Sequence, residues 1–120
     1  MLINFIEPNF KFSDDRGVLV QLVRDGWKQV NYILSEKNVV RGGHYHRFNK
    51  EAFYVVNGKF KLLVEHISTH ERKEYIINAG DFFVIPPNVQ HSFEYMEQTV
   101  LISMYDLGVE MKNGDKDIYR

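Results

Sequence analysis

Three histidines and one glutamate have the types and spacing of a polar site. His44 and His46 flank a single tyrosine, so in a strand their imidazoles point to the same side. Glu51 follows after four intervening residues, and His91 begins a run with apolar residues at alternate positions. Three neutral imidazoles and one carboxylate with open positions suit a divalent transition metal such as zinc, iron, manganese or nickel. We therefore predict a metal site at His44, His46, Glu51 and His91, with a hydrogen-bonded core cluster as the alternative.

The segments around these residues have the composition of β-strands. Runs rich in β-branched and aromatic residues predict strands over Gly17 to Val23, Gln29 to Ser35, Glu51 to Asn57 and Lys59 to His66. In strand geometry, Phe53 and Val55 share the face of Glu51, and a carboxylate on an apolar face needs a partner. No stretch has apolar residues at helical spacing over enough length for a major helix. The sequence predicts an all-β protein whose single domain spans residues 1–120.

Turn-forming residues separate these strands. Asn57-Gly58 lies between two apolar runs, which is the strongest hairpin signal in the sequence. The polar segment from Lys112 to Asp117 is expected to form a mobile loop, after which Ile118 and Tyr119 have the apolar character to dock onto the domain.

Composition excludes several classes of partner. The 15 Lys and Arg residues against 16 Asp and Glu give a net charge of -1, which would attract neither nucleic acid nor an anionic membrane. The absence of cysteine excludes disulfides and thiolate chemistry. The N-terminal segment carries Glu7 and Pro8, which do not suit a signal peptide, and no apolar run is long enough to cross a bilayer. We expect a soluble, cytoplasmic protein.

The spacing of the polar residues resembles the two motifs of the cupin superfamily. The first motif corresponds to His44, His46, Glu51 and Gly58, and the second corresponds to Gly80, Pro86 and His91. Asn88 stands where the second motif usually has glycine, and asparagine tolerates the left-handed backbone conformation that this position needs. This resemblance implies a double-stranded β-helix, the jelly-roll barrel of the cupins.

Two further segments resemble the sugar-nucleotide branch of the cupins. Phe12-Ser13-Asp14-Asp15-Arg16-Gly17 and Arg41-Gly42-Gly43-His44 are similar to segments of dTDP-4-dehydrorhamnose 3,5-epimerases, dTDP-4-keto-6-deoxyglucose 3,4-ketoisomerases and the cupin domain of capsular polysaccharide synthesis reductases. The resemblance implies that Arg16 and Arg41 bind the phosphates of a dTDP- or UDP-sugar. It also implies that His44 is the general base and that His46 and Tyr32 line the catalytic pocket.

The chemistry implied by this branch is proton transfer next to a ketone. A base removes the proton on carbon 3 of a 4-keto-6-deoxyhexose, and an acid such as Tyr32 or His46 returns it, which gives epimerisation or ketoisomerisation without an organic cofactor. The ketoisomerases tend to lack the glutamate and the last histidine of the metal set, whereas this chain has Glu51 and His91. The retained set favours a bound metal.

Two other function classes remain open at this point. Three histidines and a glutamate also suit non-haem iron, so a small metal-dependent dioxygenase is one alternative. A non-catalytic sugar-binding barrel is the other, because a fold does not determine a function. In each case we expect a homodimer, because a barrel of this size has exposed sheet edges and the apolar segment from Leu2 to Phe5 needs a cover.

Overall fold

The computed structural model describes residues 2–120, and within them it contains β-strands and no helix. The strands in chain order are β1 (Asn4–Phe5), β2 (Phe10–Asp14), β3 (Gly17–Gln21), β4 (Gln29–Ser35), β5 (Val40–His44), β6 (Glu51–Asn57), β7 (Lys59–His66), β8 (Arg72–Asn78), β9 (Phe82–Ile85), β10 (Val89–Tyr95) and β11 (Thr99–Tyr105). No helix in these residues is long and apolar enough to cross a membrane.

Two antiparallel sheets enclose the core. One has the strand order β1-β9-β6-β11-β4 and the other has the order β5-β10-β7-β8. Alternate residues of each strand point inward, so Phe53 and Leu101 of the first sheet join Phe60, Leu62 and Phe93 of the second in one buried apolar cluster. This arrangement confirms the predicted all-β, jelly-roll fold.

The predicted strands agree closely with the structure. β4, β6 and β7 have the predicted bounds, and β3 ends at Gln21 rather than Val23. β5 ends at His44, so His46 lies just beyond the strand rather than within it, while Tyr45 between them forms an isolated bridge with Tyr119. The strand-like path continues far enough for the two imidazoles to lie on the same side.

The hairpin predicted at Asn57-Gly58 is wrong. β6 pairs with β9 and β11, whereas β7 pairs with β8 and β10, so the turn carries the chain from one sheet to the other. Gly58 has a φ of 105°, and a Cβ added there would lie 2.6 Å from Thr99 Cα. The Asn-Gly pair is therefore required by a tight corner between sheets rather than by a hairpin.

The last residues of the chain are attached to the rest of the fold. Asp117 is fully buried, and the main chains of Tyr119 and Tyr45 exchange two hydrogen bonds of 2.9 and 3.0 Å. The expected docking of Tyr119 is thus present. Asp117, the last residue of the segment expected to be mobile, is held in place, and the mobility of the exposed residues 112–116 stays a prediction.

The hairpin of β2 and β3 stands apart from both sheets. Its two strands form a separate two-stranded sheet. The side chains of Phe10, Phe12, Val18 and Leu19 in this hairpin are all about half exposed or more.

Candidate active site

The four predicted metal ligands converge at one place between the two sheets. β5 carries His44 beside His91 of β10, since these residues are register partners, and Glu51 begins β6 in the facing sheet. The ligand atoms of the three histidines all lie within 4.8 Å of one another. Glu51 Oε1 lies 3.1 Å from His46 Nε2 and 3.7 Å from His91 Nε2. The structure therefore brings together every member of the predicted set.

Main-chain carbonyls fix the orientation of two of the imidazoles. His46 Nδ1 lies 2.6 Å from the carbonyl oxygen of Asp117, and His91 Nδ1 lies 3.0 Å from that of Val89. A carbonyl only accepts hydrogen bonds, so each Nδ1 carries a proton and each Nε2 faces the cluster. This is the arrangement that commonly orients metal-binding histidines.

One buried nitrogen of the cluster lacks a partner, and a second faces a carboxylate. His91 Nε2 has no hydrogen-bond partner among residues 2–120, although an unpaired buried acceptor is costly. His46 Nε2 faces a carboxylate oxygen, so either a proton or a cation must lie between Nε2 and Oε1. Both observations fit a divalent ion at this position, and we conclude that the donor set is suitable for one.

The pKa values of the histidines differ because their surroundings differ. Burial lowers the pKa of His91 to about 3, so this ring is neutral at pH 7. Burial also lowers the pKa of His44, helped by the charges of His46 and Arg120 and opposed by a hydrogen bond with the main chain of Gly42. A neutral His44 has the lone pair that a general base needs.

His46 and Glu51 form a buried pair. Burial opposes the charged form of His46, but the carboxylate of Glu51 and the carbonyl of Asp117 outweigh it and raise the pKa of His46. Burial raises the pKa of Glu51, against a hydrogen bond from His46. The pair is therefore suited to keep one shared proton at neutral pH when no cation replaces it.

A cavity of about 340 Å³ opens beside the cluster. Its lining combines the polar residues Arg41, His44, Glu51, His91, Tyr105 and Arg120 with the apolar residues Ile33, Phe53, Phe93 and Leu101. Arg41 Nε donates a 2.8 Å hydrogen bond to Ser35 Oγ, which holds the guanidinium at the wall. A cavity of this size with a few polar groups is typical of a small-molecule site.

Two predicted site residues lie elsewhere in the chain. Tyr32 points to the outer face of β4 and is 68% exposed, because its neighbour Ile33 occupies the inward phase of the strand. Arg16 lies at the turn of the β2–β3 hairpin, where it pairs with Asp14 and its side chain is 82% exposed. Within one chain, the structure brings neither residue to the cavity.

Other residues of the cavity were not assigned by the sequence. Tyr105 packs edge-on against His46, with ring centroids 5.1 Å apart, and burial raises the pKa of its hydroxyl. Arg120 reaches the cavity from the end of the chain and donates a 3.4 Å hydrogen bond to the carbonyl of Gly42. The inward phase of β11 gives a sequence signal for Tyr105, whereas the position of Arg120 depends on how the terminal segment docks.

Solved structures with the same fold include enzymes of sugar-nucleotide metabolism. The dTDP-4-dehydrorhamnose 3,5-epimerase of Sulfolobus tokodaii has a TM-score of 0.71 and 21% identity, over 88% of this chain and 75% of that one. A mutant of the 3,4-ketoisomerase QdtA of Thermoanaerobacterium thermosaccharolyticum, in complex with TDP-4-keto-6-deoxyglucose, has a TM-score of 0.73 and 23% identity, over 88% of this chain and 80% of that one.

A longer protein also contains this fold. The capsular polysaccharide assembling protein CapF of Staphylococcus aureus has a TM-score of 0.68 and 26% identity, over 92% of this chain. This chain spans only 31% of the length of CapF. A search of curated proteins finds no match.

The cupin resemblance is thereby confirmed at the level of fold. A family model also covers nearly the whole chain, since the model described as "Polysaccharide biosynthesis C-terminal domain" matches residues 12–117. With that match, the chain belongs to the polysaccharide biosynthesis C-terminal domain family.

Proposed function

We propose that this protein is an isomerase or epimerase of a nucleotide-linked 4-keto-6-deoxyhexose in surface polysaccharide synthesis. The observation that carries the proposal is a neutral, half-buried His44 that faces a cavity also lined by Arg41. A base and a fixed cation in one small cavity suit a substrate that has an acidic C–H bond and an anionic group. The family match and the fold of the neighbouring enzymes support the same general kind of function.

The proton transfer is assigned to two histidines. His44 takes the proton from carbon 3, and the electron pair moves onto the 4-keto oxygen as an enolate. The pair of His46 and Glu51 shares a proton, and Glu51 lines the cavity, so we assign the pair as the acid that returns a proton to the substrate. If the proton returns to carbon 3 on the opposite face of the sugar, the product is the epimer. If an enediol forms first and the proton is added to carbon 4, the product is the ketoisomer.

The same cluster would hold a divalent transition ion through His44, His46, Glu51 and His91. When bound, such an ion polarises a carbonyl oxygen and stabilises negative charge on it. Because a ring nitrogen that binds an ion cannot also accept a proton, metal binding and base catalysis are competing uses of His44. Replacement of Glu51 separates the two uses, as set out in the Discussion.

The test is proton exchange at carbon 3 of TDP-4-keto-6-deoxyglucose in D₂O, followed by proton NMR. We expect the wild type to introduce deuterium at carbon 3 and to form a new sugar. His44→Asn should slow this exchange by about 10²-fold or more, the usual effect of losing a general base.

His70→Asn is the matched control, because His70 lies in the exposed β7–β8 turn with a φ of 62°, a conformation that asparagine also adopts. Exchange should be unchanged in this variant. Absence of deuterium at carbon 3 with the wild-type protein, or equal exchange in His44→Asn, would contradict the proposal.

A further inference from the structure

The end of the chain forms part of the cavity wall. The four residues Asp117 to Arg120 cross the outer end of β5, and Arg120 lines the same cavity as Arg41 and His44. The fold does not need this crossing for its sheets, because neither sheet includes these residues. The segment must therefore be held in place by contacts other than sheet pairing.

Asp117 anchors the segment to the loop between β5 and β6. Its carboxylate accepts hydrogen bonds from the main-chain N–H groups of Arg47, Phe48 and Asn49, at 2.8, 3.1 and 3.0 Å, and from Asn49 Nδ2 at 2.9 Å. The residue is fully buried. A buried carboxylate that accepts four hydrogen bonds is held rigidly, so it restricts the path of the main chain that follows it.

Tyr119 gives the segment a second attachment. Its main chain exchanges two hydrogen bonds with Tyr45. Its ring packs at a tilt against the ring of Tyr45, at 5.6 Å between centroids, and the guanidinium of Arg47 lies over it at 4.2 Å. Two main-chain bonds and a packed ring immediately before Arg120 restrict where its side chain can go.

The cavity has more positive than negative groups that lack a partner. Within residues 2–120, neither Arg41 nor Arg120 forms an ion pair, and the one carboxylate of the cavity wall, Glu51, is already paired with His46. Arg120 donates only a long hydrogen bond, 3.4 Å, to a carbonyl. Planar guanidinium groups with free donors match the oxygens of phosphate groups.

We propose that Arg120 is an anion-binding residue of this cavity, where it takes a phosphate group of the ligand together with Arg41, and that Asp117 positions it. The identification of the anion as a nucleoside diphosphate rests on the proposed function. The placement of Arg120 and its lack of an ionic partner are independent of the proposed function.

The test is titration calorimetry with dTDP. Arg120→Ala should lower the affinity by about tenfold or more, which is the usual loss for one charge-assisted hydrogen bond. Arg120→Lys should recover part of it, because lysine keeps the charge but not the planar fork. Arg72→Ala is the control, since Arg72 pairs with Glu65 on β7, outside the cavity wall. The affinity of this variant for dTDP should equal that of the wild type. Equal affinity of wild type and Arg120→Ala would overturn the proposal.

The role of Asp117 is tested by combining substitutions. Asp117→Asn should weaken dTDP binding when Arg120 is present and should have no further effect in the Arg120→Ala protein. An equal loss in both backgrounds would show that Asp117 is only structural and would overturn its assignment. If Asp117→Asn does not fold, Tyr119→Ala takes its place. Tyr119→Ala removes the ring that packs on Tyr45 and keeps the main-chain hydrogen bonds.

A wild-type protein that binds neither dTDP nor UDP would refute the proposed function separately. Inorganic pyrophosphate is then the probe for Arg120. Tighter binding of pyrophosphate to the wild type than to Arg120→Ala would support the anion site, and equal or absent binding would overturn it.

Discussion

At the scale of single residues, Glu51 separates a metal centre from a proton-transfer site. Its carboxylate oxygen lies near both His46 Nε2 and His91 Nε2, and the His91 atom has no hydrogen-bond partner in the described residues. A bound ion would satisfy both nitrogens and the carboxylate at once. Without an ion, Glu51 would serve only as the proton-sharing partner of His46.

We predict that the purified protein carries about one divalent ion per chain and that Glu51→Gln releases it. The substitution keeps the shape of the side chain and removes its charge. Loss of a residue that only supports a metal ligand lowers metal affinity by about 10- to 100-fold, so loss of a ligand itself should lower it further. Elemental analysis after dialysis against a mild chelator measures the content. Glu65→Gln, on the exposed β7–β8 hairpin, should keep the ion. An ion-free wild type with full isomerase activity would contradict the metal assignment.

The sequence predicts some of these residues well and others not at all. The types and spacing of His44, His46, Glu51 and His91 indicate a shared site because strand alternation and the cupin motifs act locally. The type and spacing of Arg120 do not predict its place in the cavity, because that place depends on the burial of Asp117 against a loop about 70 positions earlier in the chain. The catalytic role of Tyr32 stays a prediction, and its outward position gives it no support within one chain.

At the scale of elements, the corner at Gly58 has a strict backbone requirement. It connects β6, which begins with Glu51, to β7 in the opposite sheet. The sequence predicts the turn itself from Asn57-Gly58. It does not predict which sheet each strand joins, because that depends on pairing with β10 and β11 far along the chain.

We predict that Gly58→Ala destabilises the protein by about 2 kcal/mol or more, since it combines an unfavourable φ with a steric clash against the Thr99 backbone. Gly114→Ala is the matched control. Gly114 also has a positive φ, of 89°, but an added Cβ would meet nothing within 4 Å, so only the conformational cost of about 1 kcal/mol is expected. Urea unfolding of the two variants measures the difference, and equal stabilities would contradict this account of the corner.

At the scale of the whole molecule, the β2–β3 hairpin and β4 each carry several exposed apolar side chains. Phe12 and Leu19 are register partners in the β2–β3 hairpin and are 49% and 56% exposed. The outward residues of β4, Val30, Tyr32 and Leu34, are also exposed. Contiguous apolar side chains on a hairpin and on an outer sheet face are typical of an interface between subunits.

We predict a homodimer in which the hairpin of one copy covers apolar surface of the other. Light scattering at micromolar concentration should give twice the chain mass of 14.2 kDa. The double substitution Phe12→Ser and Leu19→Ser should give a folded monomer, whereas Ile76→Ser, at an exposed position of β8, should leave the dimer intact. A wild-type monomer under these conditions would contradict the prediction.

The order of strands in the sheets also has a kinetic consequence. Among the ladders within residues 2–120, only β2–β3 and β7–β8 join consecutive strands, and every other ladder closes a longer loop. Folds dominated by such distant pairings acquire their native contacts in about milliseconds to seconds rather than microseconds. The chain loses the entropy of closing each long loop before the contacts across it can stabilise the fold. His44 meets His91 only when β5 pairs with β10. We therefore expect the two local hairpins, whose open edges favour association, to form before the imidazole cluster.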